Sequence, residues 1–249
     1  MLNFIVPLKS PEVSRDWEVT SRLCNRTLYS ICRQTCPRFR VVLVCNERPV
    51  NCYQHENLEV IEGSFPVPDE ELGNMDDKFR KLRRGALRLK GIMRNEEYFM
   101  AVDADDLVHR GLAKKVNSDA CENGWYFPYG YIYPNNSYFV FVKNEFYKYC
   151  GTSSVVKCYI EDMPNSEKDS GSFYPGGHSN IVKRYNDAER PLKSIDFIGA
   201  CYTVDSGENH SGVSWRGWHG KKRFIEKMLN MRPIIWNQIS HKFGMGYSE

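Results

Sequence analysis

The sequence contains no Cys-x-x-Cys pair, no internal repeat, no low-complexity segment and no apolar run approaching the ~20 residues needed to cross a bilayer. Structural zinc of the finger or ribbon kind is thereby disfavoured, and a membrane-spanning helix is not expected. Nine cysteines, an odd number, cannot all pair within one chain, so a disulfide framework is disfavoured too. Charge of one sign is also scarce. The 34 basic and 31 acidic side chains leave a formal +3, too little for the global field that dominates nucleic-acid binding. Glycine is absent from Pro7-Leu-Lys-Ser-Pro11, so no glycine-rich phosphate cradle follows the first apolar run. The opening Met1-Leu-Asn-Phe-Ile-Val-Pro-Leu8 lacks the basic start and small-residue cleavage site of a secretory signal.

What remains is a chain of 249 residues, 41% of them hydrophobic, which can bury an ample core as one large domain or one domain with a tail. Cys24, Cys32, Cys45 and Cys201 sit in apolar contexts that suit buried, reduced thiols, so a soluble cytoplasmic protein is expected. The glycosylation sequons at Asn25, Asn135 and Asn209 are then chance matches.

The most informative string is Tyr98-Phe-Met-Ala-Val-Asp103-Ala-Asp105-Asp106-Leu-Val108, an apolar run that stops on three carboxylates. Burying one ionised carboxylate without a partner is costly, so three packed at a strand end argue for a divalent cation. An EF-hand loop from Asp103 would need Gly and Glu where this chain has Val108 and Lys114, which excludes it. A catalytic phosphatase Asp-x-Asp pair belongs on a first strand, whereas about a hundred residues precede this one. The competing structural reading is a helix cap, with Asp105 or Asp106 preceding a helix over residues 107–116.

The hydrophobic pattern supplies the context. Phe4-Ile-Val-Pro-Leu8 reads as a buried strand, and residues 16–34 place Trp17, Cys24, Leu28 and Ile31 on one helical stripe. Arg40-Val-Val-Leu-Val-Cys45 is a continuous apolar run, as in a strand covered on both faces. A short third strand, Leu58-Glu-Val-Ile61, precedes a helix over residues 76–90 with Phe79, Leu82, Ala86, Leu89 and Met93 at helical spacing. Lys78, Arg80, Lys81, Arg83, Arg84 and Arg88 are assigned to its exposed side. The strand at residues 98–102 then delivers the carboxylates at its C-terminal end. This order predicts a parallel α/β sheet, whose ligands sit beyond the C-terminal strand ends. Further on, residues 125–133 and 138–142 read as a hairpin, residues 163–179 as a loop, and 180–185 as a short helix. Residues 195–202 read as a strand, and 221–241 as a helix in a basic, aromatic tail.

In this order the pieces resemble GT-A-fold glycosyltransferases, nearest to the inverting family 2 type, over residues 3–212. The resemblance rests on Phe4-Ile-Val-Pro-Leu8, Val41-Val-Leu-Val44, the Asp77-Lys78 helix, Val102-Asp-Ala-Asp-Asp-Leu107 and Asp205-Ser-Gly-Glu-Asn-His-Ser-Gly212. It implies a Rossmann-like, mostly parallel sheet flanked by helices, with a β-hairpin on the acceptor side. A helical tail, residues 213–249, would pack on the same domain. It also implies a nucleoside-diphosphate sugar donor and Mn²⁺ or Mg²⁺, the hard cations that carboxylates and phosphates bind. Asp103 would lie near ribose and metal, Asp105 would be a direct ligand, Asp106 a ligand or support, and His210 would stand close to metal and diphosphate. Pro7, Glu47 and Lys78 would complete the nucleotide side.

Two positions depart from the family. The second strand ends in Asn46-Glu47 rather than paired aspartates, so Glu47 would substitute at base and ribose. Gly176-Gly177-His178-Ser179-Asn180 stands where a Glu-Asp base is usual, and His178 is able to act as a base near neutral pH. The alternatives are Asp162 in Glu161-Asp162, and Asp196. The two Asp-Ser-Gly strings, at Asp169 and Asp205, lack the apolar flanks of aspartic proteases.

The function expected is therefore metal-dependent transfer of a sugar to a glycan hydroxyl, with inversion. The acceptor would be a glycan or a lipid-linked saccharide; a plain packing helix is the preferred reading of the tail, with peripheral membrane contact as the alternative, and no nucleic acid is expected to bind. The alternatives are a non-catalytic carbohydrate- or nucleotide-sugar-binding protein and, disfavoured by the missing glycine loop, a sugar-phosphate nucleotidyltransferase.

Overall fold

A computed structural model describes residues 1–67, 71–119, 121–169, 178–208 and 233–245. Strand β1 (Leu2–Pro7) is buried along its whole length and alternates its side chains between two apolar layers. Leu2, Phe4 and Val6 pack with Cys24, Leu28 and Ile31 of helix α1 (Trp17–Cys32) on one face. Ile5 packs on the other face with Leu82, Ala86 and Leu89 of helix α2 (Glu71–Lys90). Asp16 caps α1 as its composition suggests, its Oδ1 accepting from the Val19 N–H at 3.0 Å. Gly85 sets how closely α2 approaches, because a Cβ there would lie 2.6 Å from Ile5 Cγ2.

Strands β2 (Phe39–Cys45) and β3 (Leu58–Glu62) continue the sheet on one side of β1, and β4 (Glu96–Ala101) lies on the other, all parallel. Pairing reverses at β9 (Ser154–Tyr159), which runs antiparallel between β4 and β6 (Gly124–Tyr126), while β10 (Lys193–Ser194) closes that edge. The order is β10-β6-β9-β4-β1-β2-β3, a central, mostly parallel sheet with helices on both faces, in agreement with the expected α/β class. A second sheet, in the order β12-β8-β7-β11-β5, holds the hairpin β7 (Tyr129–Pro134) and β8 (Phe139–Asn144). Its other strands are β5 (Leu107–Val108), β11 (Ala200–Val204) and β12 (Pro233–Ile235).

Five expectations need correction. Residues 125 and 126 of the expected hairpin belong to β6 in the first sheet, and the hairpin itself starts at Tyr129. The helix expected from residue 107 does not form there, because Leu107 and Val108 pair with β11, and helix α3 (Leu112–Ser118) starts later with Gly111 as its cap. Neither Asp105 nor Asp106 is a helix cap. Of the strand expected at residues 195–202 only 200–202 is strand, the start of β11, because residues 195–199 carry the chain from β10 in one sheet to β11 in the other. Helix α2 begins five residues before Asp76; Asp76 and Asp77 look like a helix start but form ion pairs one turn on, with Arg80 and Lys81. Residues 233–235 of the expected tail helix are instead strand β12, since Pro233 has no N–H for a helix interior and Ile234 finds a partner in Val140. The short helices α4 (Ile181–Asp187) and α5 (Trp236–Ile239) complete the described elements, and no described helix is long and apolar enough to cross a membrane. All nine cysteines are free thiols.

Candidate active site

The chain runs from β1 to β2 and β3 on one side, then returns to place β4 on the other. The ends of β1 and β4 therefore flank a topological switch point, where an open α/β sheet leaves a crevice. A cleft of about 410 Å³ opens there. Pro7, Leu8 and Lys9 line it from the end of β1, Asp103 and Asp105 from the end of β4, and Asp77, Lys78 and Lys81 from α2. Tyr149, Gly151, His178 and Glu208 close it from the hairpin side and the loop after β11.

The three aspartates have separate environments. Asp103 takes an ion pair from the Lys78 ammonium, and its backbone N–H donates to Thr152 Oγ1 at 2.9 Å. Burial pulls the Lys78 ammonium down, but the charge of Asp103 and the hydrogen bond to it outweigh burial, so its pKa is raised. Burial, and then the neighbouring charge of Asp103, push the Asp105 carboxyl up to about 6. Asp106 is wholly buried and faces away from the cleft, accepting from the Thr203 N–H at 3.1 Å and from the Cys150 thiol at 3.2 Å. Burial, and then Asp105 and Asp103, hold its pKa well above the carboxylate range. Its place is that of a strut between β4, β11 and the loop at Cys150.

Among the described residues, no group of three or more His, Cys, Asp or Glu side chains is placed to hold a metal ion. The cleft nevertheless presents two carboxylates, Asp103 and Asp105, at one strand end. Mg²⁺ characteristically takes one or two protein carboxylates and completes its shell with substrate phosphates and water, so this donor set fits a hard cation arriving with a diphosphate.

His178 opens a short 3₁₀ turn, His178–Asn180, and lines the same cleft half-buried. Burial lowers its pKa, Asp103 raises it and Lys78 lowers it, with a net downward shift that leaves the imidazole neutral near neutral pH. Pro7, Lys78, Asp103, Asp105 and His178 are thus brought together. Glu47 is exposed and does not line the cleft. Asp162 lies outside it as well, its Oδ2 accepting from the Tyr159 N–H at 3.1 Å and pairing with Arg190 at 3.5 Å. Asp196 is paired with Lys115 at 3.0 Å and also does not line the cleft. His210, Gly176 and Gly177 lie outside the described residues.

Several residues in or behind the cleft escape a sequence reading. Lys81, expected on the solvent face of α2, is wholly buried, its ammonium donating to Leu8 O at 2.8 Å and to Asp77 Oδ2 at 2.7 Å. The signal was its spacing: Asp77, Lys81 and Gly85 share an i, i+4 row with buried Leu89. Glu208 ties the loop after β11 to the start of α1, accepting from the N–H groups of Asp16 at 2.8 Å and Arg15 at 3.2 Å while paired with Lys9. Arg26 of α1 reaches Asp105 O at 3.1 Å and Thr203 Oγ1 at 2.9 Å, fixing the carboxylate loop from behind. No local pattern marks either residue. Gly151 has a readable physical reason, since a Cβ there would lie 2.7 Å from Asp103 Oδ2 and 3.2 Å from Lys78 Nζ.

No family model matches the chain, and no curated protein matches it. Among solved structures, it is similar to S. aureus TarS 1–349, at 11% identity over 81% of this chain and 60% of that one, with a TM-score of 0.47. It is also similar to the Francisella tularensis 2-C-methyl-D-erythritol 4-phosphate cytidylyltransferase, at 8% identity over 91% of this chain and 97% of that one, TM-score 0.42. The inositol-1-phosphate CTP transferase of T. maritima gives 15% identity over 92% and 96%, TM-score 0.41. The chain spans about three fifths of the TarS chain's length.

Proposed function

We propose that the chain is a glycosyltransferase of the GT-A type that moves a sugar from a nucleoside-diphosphate sugar to a hydroxyl of a glycan, with inversion. The observation that supports this reading is the convergence of Lys78, Asp103, Asp105 and His178 on one cleft at the ends of β1 and β4. Asp103 and Asp105 would hold Mn²⁺ or Mg²⁺ together with the donor's diphosphate. Such a cation, when bound, neutralises charge on the departing diphosphate. Lys78 stands beside Asp103 and adds a fixed positive charge on the same side, which favours the phosphates in a half-buried site.

His178 takes the part of base in this scheme. Its neutral imidazole accepts the proton of the acceptor hydroxyl as that oxygen forms its bond to the anomeric carbon, and the sugar–phosphate bond breaks on the far side. Asp162 remains the alternative base, although its carboxylate already serves the turn at Tyr159 and Arg190. The acceptor would enter past Tyr149, which is half exposed at the rim with the Lys143 ammonium 3.8 Å from the centre of its ring.

The test is turnover of a panel of nucleotide sugars with and without Mn²⁺, followed by release of nucleoside diphosphate and by the anomeric configuration of the product. His178→Ala should lower kcat by about 10²–10⁴-fold with donor affinity nearly unchanged. Release of pyrophosphate from a nucleoside triphosphate and a sugar phosphate would instead make the chain a nucleotidyltransferase. Binding of donors without turnover of any would make it a non-catalytic nucleotide-sugar-binding protein.

A further inference from the structure

Helix α2 divides the cleft. Lys78 turns toward Asp103, whereas Asp77 and Lys81 turn toward the chain leaving β1. Lys81 is fully committed there: its ammonium donates to Leu8 O and Asp77 Oδ2 and lies 5.3 Å from the centre of the Phe65 ring. Asp77 is only half used. Its side chain is 91% buried, its Oδ2 is taken by Lys81, and its Oδ1 is buried with no hydrogen-bond partner. A second buried atom in the same cleft has the same status, the hydroxyl of Thr20 on α1, a residue only 4% exposed.

Buried polar atoms left without a partner are uncommon, and two in one cleft call for groups that complete them. A carboxylate oxygen can only accept, so the group facing Asp77 must carry an N–H or O–H. The pair Asp77–Lys81 is neutral as a unit and therefore does not call for an ion. Pro7, Leu8 and Leu23, with Met75 at the rim, line the same cleft and offer apolar contact to a flat ring. An uncharged flat ring with a hydrogen-bond donor on its edge is the chemistry of a nucleobase. The end of β2 cannot serve it, because Glu47 points to solvent outside the cleft.

We infer that Asp77 is the residue that reads the nucleobase of the donor: its Oδ1 accepts an N–H from the base edge. This rests on the nucleotide-sugar reading above, with base recognition moved from the end of β2 to the second turn of α2. Lys81 is a positioning residue in this scheme, since it fixes the Asp77 rotamer by holding the other oxygen.

The experiment is calorimetric titration of the unsubstituted protein, in Mn²⁺, with UDP, dTDP, GDP, CDP, ADP and pyrophosphate. It is repeated with the tightest nucleotide carrying a methyl group in place of its base N–H, such as N3-methyl-UDP. Blocking the N–H should weaken binding by about 10–100-fold, as loss of a hydrogen bond to a charged group does. Asp77→Asn can keep its oxygen on Lys81 and turn an NH₂ toward the ring, so it should weaken the preferred nucleotide to a similar degree and leave pyrophosphate binding unchanged. Thermal unfolding accompanies this variant, because Lys81 loses its counter-ion; if the variant does not fold, the methylated nucleotide decides alone. Equal affinity for every base and for the methylated form would mean that water completes Asp77, which overturns the inference and leaves the diphosphate reading standing. Absence of binding by any nucleotide and by pyrophosphate would overturn both.

Discussion

Lowering the pH from 7 to 4 should destabilise this fold through His109, and the size of the effect follows from its surroundings. Its imidazole packs 4.7 Å from the Phe197 ring and 5.9 Å from the Phe243 ring, and its Nδ1 accepts from the Gly111 N–H at 3.0 Å. An accepting Nδ1 places the proton of the neutral ring on Nε2, and an imidazolium would have to give up that bond. Burial, and then the charges of Lys242, Arg110 and His241, lower the pKa from 6.5 to about 4. With the native value below the unfolded one, the unfolded chain takes up the proton first as pH falls. The stabilisation is therefore complete above about pH 6.5 and is lost as pH falls through about 4. A difference of about 2.5 units at ~1.36 kcal/mol each gives about 3 kcal/mol, and partial solvent access reduces the expected loss to about 2 kcal/mol. Asp105 and Asp106, whose pKa values are raised, act in the opposite sense, so a comparison with His109→Asn isolates the histidine. Asn can still accept from Gly111 but does not titrate. Urea unfolding of both proteins at pH 7, 5.5 and 4 should show their stability difference shrinking by about 2 kcal/mol toward acid. A difference that stays constant with pH would refute the reasoning.

The neighbouring aspartates should separate cleanly. Asp105→Ala is expected to abolish Mn²⁺-dependent binding of nucleoside diphosphate, seen by calorimetry, without loss of stability. Asp106→Ala should cost about 2–3 kcal/mol in urea unfolding, because it strands the Thr203 N–H and the Cys150 thiol in the interior. Gly151→Ala pushes on the ends of two flexible side chains, so melting should change by no more than about 1 kcal/mol, while cation-dependent diphosphate affinity falls about 10-fold as Asp103 and Lys78 are displaced. A variant that binds normally would show that their relative placement does not matter.

The strands and helices around the switch point were legible because their signals are local. An all-apolar run such as Val41–Val44 can only be covered on both faces, and the stripe Cys24, Leu28, Ile31 can only turn inward. Strand β4 is equally legible, and with it the place where the cleft opens. Strand β9, at Ser154–Tyr159, is not, since nothing in Ser-Val-Val-Lys-Cys-Tyr says that it enters between β6 and β4, the latter over fifty residues back in the chain. Charge in a helix is usually exposed, which points Lys81 to solvent; it is buried because Leu8 O and Asp77, 69 positions apart in the chain, converge on it. The three carboxylates are alike in the sequence. Which one is paired with lysine, which one faces the cleft and which one is sealed behind it depends on Lys78, Thr203 and Cys150, and their placement is a property of long-range packing alone.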